Sequence, residues 1–389
     1  MPHEKAQVVT LMAAPKPNDG GEVADARASS KVAPSEPAGP AGDSNPRQTL
    51  ARFGLRQLRR IAELAPKVTG RGQAKPVHDF RVASRRLESV LSLIFPPPQA
   101  SEIKKLSRQM RRARRTLSEV RDSDALLERI QVLLARKRVA RRDAWRTVAH
   151  YLAARRKEAL RRAQRKLIEA DLPQVQAELR ERLEGVLSAH TPGKARNGSD
   201  RPSAREFWAQ SASVSEEVRQ ALVKRFGRAL AHPKPRTLHQ ARIAAKRARY
   251  LAENLRELGT PEAAEAVAWL REAQRRLGDW HDLSLLEEAM VEVIARRRFL
   301  RDHLEQAMEI ERLIAENRRK RKKLLVALER RMETGLERIQ KWLGQAAASP
   351  SEATPRGGTE EAAAAAALRS TTAGAASGGP STRLTASFN

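Results

Sequence analysis

The stretch Val77-His78-Asp79-Phe80-Arg81-Val82-Ala83-Ser84-Arg85-Arg86-Leu87 is answered later in the chain by Leu238-His239-Gln240-Ala241-Arg242-Ile243-Ala244-Ala245-Lys246-Arg247-Ala248. Each copy follows a proline-containing loop, and each reads as a helix. At about 100° per residue, positions 0, +3 and +7 of a helix fall within about 60° of one another. His78, Arg81 and Arg85 therefore share one stripe, and His239, Arg242 and Lys246 share the matching stripe of the second copy.

A second motif follows each copy about forty residues on. Leu117-Ser118-Glu119-Val120-Arg121-Asp122 matches Leu277-Gly278-Asp279-Trp280-His281-Asp282. Two paired motifs in the same order and at nearly the same spacing point to an internal duplication. Outward from the motifs the pattern stays helical. Leu55, Leu58, Ile61 and Leu64 form an apolar stripe at helical spacing. Pro96 to Pro98 end the first motif helix, a third helix is expected from about Gln99 to Arg136, and a long basic one from about Arg138 to Glu169. Pro173 breaks the chain before a last short helix. The second half repeats the order, with breaks at Pro233, Pro235 and Gly259 to Pro261. Four or so helices per half are expected.

Composition agrees with an all-α fold. Aromatic residues make up 4% of the chain, so the core must be aliphatic, and Leu, Ala, Arg and Glu favour helices over strands. Residues 1–46 and 346–389 are rich in Ala, Pro, Gly and Ser, lack periodicity and read as disordered tails. Residues 188–205, with Pro192, Gly193, Gly198 and Pro202, read as a linker. The helical halves are then 47–187 and 206–345.

Charge narrows the function classes. The formal net charge is +29. Residues 1–46 hold four Lys/Arg against six Asp/Glu and residues 346–389 hold three of each, so 47–345 carries +31. Such an excess repels itself until something anionic neutralises it. The partners this implies are polyphosphate, nucleic acid or an anionic surface. No cysteine is present, so there is neither a disulfide framework nor a thiolate metal site. No apolar run approaches the length of a membrane-spanning helix, and the N-terminus lacks a secretory pattern. A cytoplasmic protein is expected.

Arginine offers a rigid fork of donors that fits two phosphate oxygens, and lysine adds a point charge. Histidine among many cations is expected to be neutral at pH 7 and to donate a hydrogen bond to phosphate. Further basic residues on the next helices (Arg111, Arg112, Arg114, Arg115; Arg275, Arg276) extend the basic surface. Asp122 and Asp282 read as carboxylates that pair with an arginine of their own half, and Trp280 as core or groove wall.

The paired His-x-x-Arg-x-x-x-(Arg/Lys)-Arg motif and the paired Leu-x-x-x-(Arg/His)-Asp motif resemble those of the CHAD family, the conserved histidine α-helical domain. The resemblance covers about residues 47–345. It implies two pseudo-symmetric four-helix bundles with a basic groove or channel between them, and non-enzymatic binding of inorganic polyphosphate, often on polyphosphate or other storage granules and their proteins. Carried over by position, the binding residues are His78, Arg81, Arg85, Arg86, His239, Arg242, Lys246, Arg247 and Arg249, with Arg111, Arg112 and Arg115 from the adjoining basic helix. Glu88 stands where the family tends to have arginine, which the second half keeps as Arg249. No catalytic residue, metal ligand or cofactor is implied.

Two other classes stand beside this reading. A nucleic-acid binder would suit the charge, although no helix-turn-helix, zinc or RNA-recognition signature is present and aromatics for base stacking are few. The dipeptides His78-Asp79 and His281-Asp282 also resemble those of HD-type phosphohydrolases. A hard divalent metal, however, needs carboxylates around it rather than an arginine stripe.

Overall fold

The computed structural model describes residues 45–96, 98–188 and 204–345, for 333 and 334 the backbone alone. Every regular element among the described residues is a helix: α1 (Pro46–Thr69), α2 (Ala74–Ile94), α3 (Ser101–Thr116), α4 (Ser118–Leu134), α5 (Arg142–Glu169), α6 (Leu172–Ser188), α7 (Ala204–Ala231), α8 (Pro235–Glu257), α9 (Ala263–Ile294), α10 (Arg297–Asp302) and α11 (Leu304–Gln345). The fold class is all-α, as the periodicity predicts. The tails fall outside the described residues except Asn45 and Pro46, and the linker except 188, 204 and 205.

Local chemistry explains the boundaries. The Asn45 side chain accepts from the Arg47 amide at 3.0 Å and Pro46 takes the first turn of α1, where a missing amide proton costs nothing. The buried residues of α1 (Leu50, Leu58, Ile61, Leu64, Val68) keep the predicted spacing. Between α1 and α2 the chain turns at Gly72, whose φ is +57° and whose missing Cβ would meet Leu160 of α5 at 2.4 Å. Glycine alone meets both demands. The break before α6 falls at Asp171, whose φ is +40°, just ahead of Pro173.

One boundary differs from expectation and bears on the site. The helix expected from Gln99 to Arg136 is two helices, α3 and α4, meeting at Leu117 with φ −86° and ψ 6°. Its counterpart in the second half, Leu277, lies inside the unbroken α9. The copies thus match in sequence but differ in how the chain passes through the same motif.

The apolar cores do not divide by halves. One cluster gathers α1, α2, α3, α6 and the later part of α5 with α7, α8, the first part of α9 and the last part of α11. A second joins α4 and the first part of α5 to the later part of α9 and the first part of α11, through Ile130, Val148, Met290 and Ile310. Helix packing is nonetheless densest within each half, α1 on α2 and α6 in the first and α9 on α8 and α11 in the second, so the apolar clusters run across the halves without replacing the packing inside them. The reason is helix length. α9 has 32 residues and α11 has 42, and at about 1.5 Å per residue each reaches across both clusters. Helices α2 and α8 pack against each other directly, which brings the two motifs face to face. Among the described residues no helix is long and apolar enough to cross a membrane.

Candidate functional site

Where α2 and α8 meet, the cationic stripes converge and α4 and α9 flank them. From the first half come His78, Arg81, Arg85 and Arg121, and from the second His239, Arg242, Lys246 and His281. Their mutual influence shows in their acidities. Burial first, then Arg121, Arg81 and Arg85, lower His78 from 6.5 to about 4. Burial, then Arg242, His239 and Lys246, lower His281 to about 3. Partial burial, Arg242 and Lys246 also lower His239, whose ring lies 5.4 Å from that of His281. Lys246 is pulled well below the usual lysine range, by burial first and then by Arg242, Arg85 and Arg81. Charges from both halves act on one another, so the stripes form one cluster.

The two central arginines are held differently. Arg81 is 8% exposed and sits inside the apolar stripe of α2. Its Nη1 donates to the Arg114 carbonyl at 2.7 Å and to Ser118 Oγ at 3.0 Å. The break at Leu117 makes this contact available, because the last carbonyls of a helix lack partners within it and carry the negative end of its dipole. Burial, with Arg85 next, brings Arg81 down to about 10, so it remains a cation at neutral pH.

Arg242, its counterpart, has no helix end to face. It lies over Gly278, which stands where the first half has Ser118, with Nη2 3.9 Å from the position a Cβ would take. Its Nε is buried without a hydrogen-bond partner. Burial lowers its pKa while Asp282 and Asp122 oppose the shift and Arg85 and Arg121 add to it. A desolvated guanidinium with unspent donors is a place where an anion gains the most.

Asp122 and Asp282 each act on an arginine of their own half, Arg81 and Arg242, and their reach goes further. Asp122 acts on Arg81 of its own half and also on Arg242, Lys246 and His239 of the other. Asp282 is raised, chiefly by burial, in the opposing fields of Arg242 and of Arg129 from the first half. Each thus serves both halves. Asp124 is bonded directly to an arginine of its own half, Arg156 of α5, which also donates to the Gly72 carbonyl at 2.7 Å. Trp280 is 5% exposed with the Arg321 guanidinium 4.8 Å from its ring centroid, a cation–π contact that makes it a wall.

The remaining candidates lie apart from this cluster. Arg86 donates to Glu253 at 3.0 Å, and Arg249 and Arg271 approach the same carboxylate at 3.6 Å. Glu253 is 2% exposed, so these arginines anchor α8. Arg247 turns to Glu217 of α7 at 3.0 Å. Arg111 is bonded to Glu88, and Arg112 and Arg115 are exposed on α3. Arg114 lies beside the cluster instead, within the field of Arg81. The candidate set also omitted Arg121, Ser118 and His281. The alignment of Leu117–Asp122 with Leu277–Asp282 marks all three.

The histidines give the free protein a pH dependence. His78 in the fold takes up a proton only near pH 4, whereas the unfolded chain does so near 6.5. Between these values the unfolded state binds more protons, so stability is present above about 6.5 and is lost as pH falls toward 4. Thermal melting at pH 7, 6 and 5 should show a falling midpoint, and H78N/H281N should flatten the decline. An unchanged slope in the double variant would assign it to other groups.

Residues 52–291 match the family model described as the CHAD domain. Among solved structures, the crystal structure of the CHAD domain from the plant Ricinus communis is similar with a TM-score of 0.50 at 18% identity, covering 79% of this chain and 94% of that one. PptA from Streptomyces chartreusis is similar with a TM-score of 0.51 at 16% identity, covering 75% and 100% respectively. At these identities the likeness is one of fold. No curated protein sequence matches the chain.

Proposed function

This chain belongs to the CHAD domain family, and we propose that it binds inorganic polyphosphate, without catalysis, in the cluster between α2 and α8. The observation that carries the reading is Arg242, whose buried Nε lacks a partner and which lies in the field of Arg85 and Arg121 and acts on Lys246 and His281. A phosphate chain would satisfy those donors and cancel a repulsion that the free protein has to sustain. His78, Arg85, Arg242, Lys246 and His281 are the contacts proposed, with Arg81 as a charged floor whose Nη1 is already engaged. The binding unit is the pair of halves, 47–187 and 206–345, acting as one. A cytoplasmic place on polyphosphate or other storage granules follows as the setting of such a binder.

The test is a titration with long-chain polyphosphate near physiological salt, with duplex DNA as competitor at equal phosphate. Both ligands reward counterion release, so displacement at matched phosphate separates a built site from general attraction. Tight binding that DNA leaves intact is expected, and easy displacement by DNA would move the nucleic-acid reading forward. Bound phosphate raises the histidines' proton affinity, so binding should take up protons and tighten from pH 7 to pH 5. Calorimetry in two buffers of different ionisation enthalpy reads that uptake, and none would remove His78 and His281 from the site.

A further inference from the structure

Glu88 lies on α2 one turn beyond Arg85, and its two carboxylate oxygens accept from two arginines of α3. Arg111 approaches Oε1 at 2.6 Å and Arg114 approaches Oε2 at 2.5 Å. Burial alone would raise its pKa, yet Arg114 and Arg111 together hold it below the usual carboxylate range, so it is an anion at neutral pH. Arg114 is the link to the central cluster. It lies in the field of Arg85, and its carbonyl receives Arg81. Beyond the neutral His78, cations therefore follow one another from Arg81 through Arg85 and Arg114 to Arg111, and Glu88 occupies the α3 end of this track with a negative charge of the protein's own.

The second half offers a contrast. Its carboxylate, Glu253, is 2% exposed and closed in by Arg86, Arg249 and Arg271. The Glu88 side chain is 28% exposed and that of Arg111 is 45% exposed. A ligand leaving the cluster toward α3 would meet Glu88, not a sealed ion pair.

We propose that Glu88 is a specificity-determining residue that limits how many phosphates the site holds, by occupying the donors of Arg111 and Arg114 and repelling the chain that would extend onto them. The inference rests on the polyphosphate reading above. A short ligand such as tripolyphosphate is held by the central cations and stops before Glu88. A long chain either ends there or must displace the carboxylate. Glutamine keeps the shape, removes the charge and frees both arginines.

The experiment compares the full chain and E88Q against tripolyphosphate and long-chain polyphosphate over a series of NaCl concentrations. For E88Q the ratio of long-chain to tripolyphosphate affinity should rise about tenfold. The slope of log affinity against log salt should steepen by roughly 1.5 for the long chain, since each added cation contributes about 0.7–0.9. R111Q should weaken long-chain binding more in the E88Q background than alone, because Arg111 is freed there. A ratio that stays level or falls in E88Q, in a protein that binds both ligands, would overturn the inference and leave the polyphosphate reading standing. It would make Glu88 a residue that positions the two arginines. If the unaltered chain binds neither ligand, the reading and the inference fall together. Thermal melting of each variant, with the R111Q/E88Q cycle, separates loss of fold from loss of the site.

Discussion

Replacing Arg85, Arg242 and Lys246 together by glutamine should lower affinity for long-chain polyphosphate about a thousandfold while leaving the melting temperature unchanged or higher. A hydrogen bond to a charged group contributes about 1.5–3 kcal/mol. Three of them at the lower figure give about 4.5 kcal/mol, and each 1.4 kcal/mol is about a factor of ten. Stability should move the other way. Lys246 is desolvated among Arg242, Arg85 and Arg81, and the buried Nε of Arg242 makes no hydrogen bond, so neutral side chains relieve repulsion and desolvation together. Arg81 is left out of the set because its bonds to the Arg114 carbonyl and Ser118 hold α2 to the α3–α4 junction. The control set has to come from cations without such duties. Arg155 and Arg156 of α5 do not qualify, since the first pairs with Glu119 and Glu292 and the second with Asp124. Lys157, Arg165 and Lys166 are exposed on the same helix, and their replacement should cost less than about tenfold at near-physiological salt, where exposed charges are screened. Equal losses in the two sets would mean diffuse attraction and would remove the cluster as the site.

Glu253→Ala should be the most destabilising single charge removal, at about 3–5 kcal/mol. The carboxylate is buried, and Arg86, Arg249 and Arg271 converge on it from α2, α8 and α9. Removing it leaves three arginines without their shared counter-charge at the contact where α2 meets α8. The Asn254 side chain also donates to Ser89 Oγ at 2.9 Å in that contact. Chemical denaturation reads the loss directly. The double variant E253A/R86M should recover part of it, because contacting residues couple in a double-mutant cycle. A loss below about 1 kcal/mol would show that solvent screens the arginines enough to stand alone.

Much of the fold was legible in the chain itself. Periodicity is local, so the helices of the first half, the break near Pro173 and the loops at Pro233 and Gly259 could be read one segment at a time. Helix separation was harder. Leu117 and Leu277 belong to equivalent motifs, yet α3 ends at the first and α9 runs through the second, and nothing in the quoted residues separates the two cases. The site was half legible. His78, Arg81, Arg85, His239, Arg242 and Lys246 do converge. Arg86 and Arg249 share the same helices but face Glu253, and Arg247 faces Glu217. A stripe gives the direction in which a side chain leaves its helix, not what stands opposite.

By itself, the sequence determined that this protein is helical, that the same pair of motifs occurs in it twice, and that each copy carries a cationic stripe with a histidine. Covalent spacing and the helical period suffice for all three, since they act within a few turns. The tertiary structure alone decided which cations remain available. Arg81 meets a helix end and Arg242 does not, and Glu88 and Glu253 neutralise arginines that the stripe leaves uncommitted. Ion pairs and hydrogen bonds act over a few ångströms between different helices, so the packing of α2 against α8, α3 and α4 decides which charges are spent inside the structure and which are not.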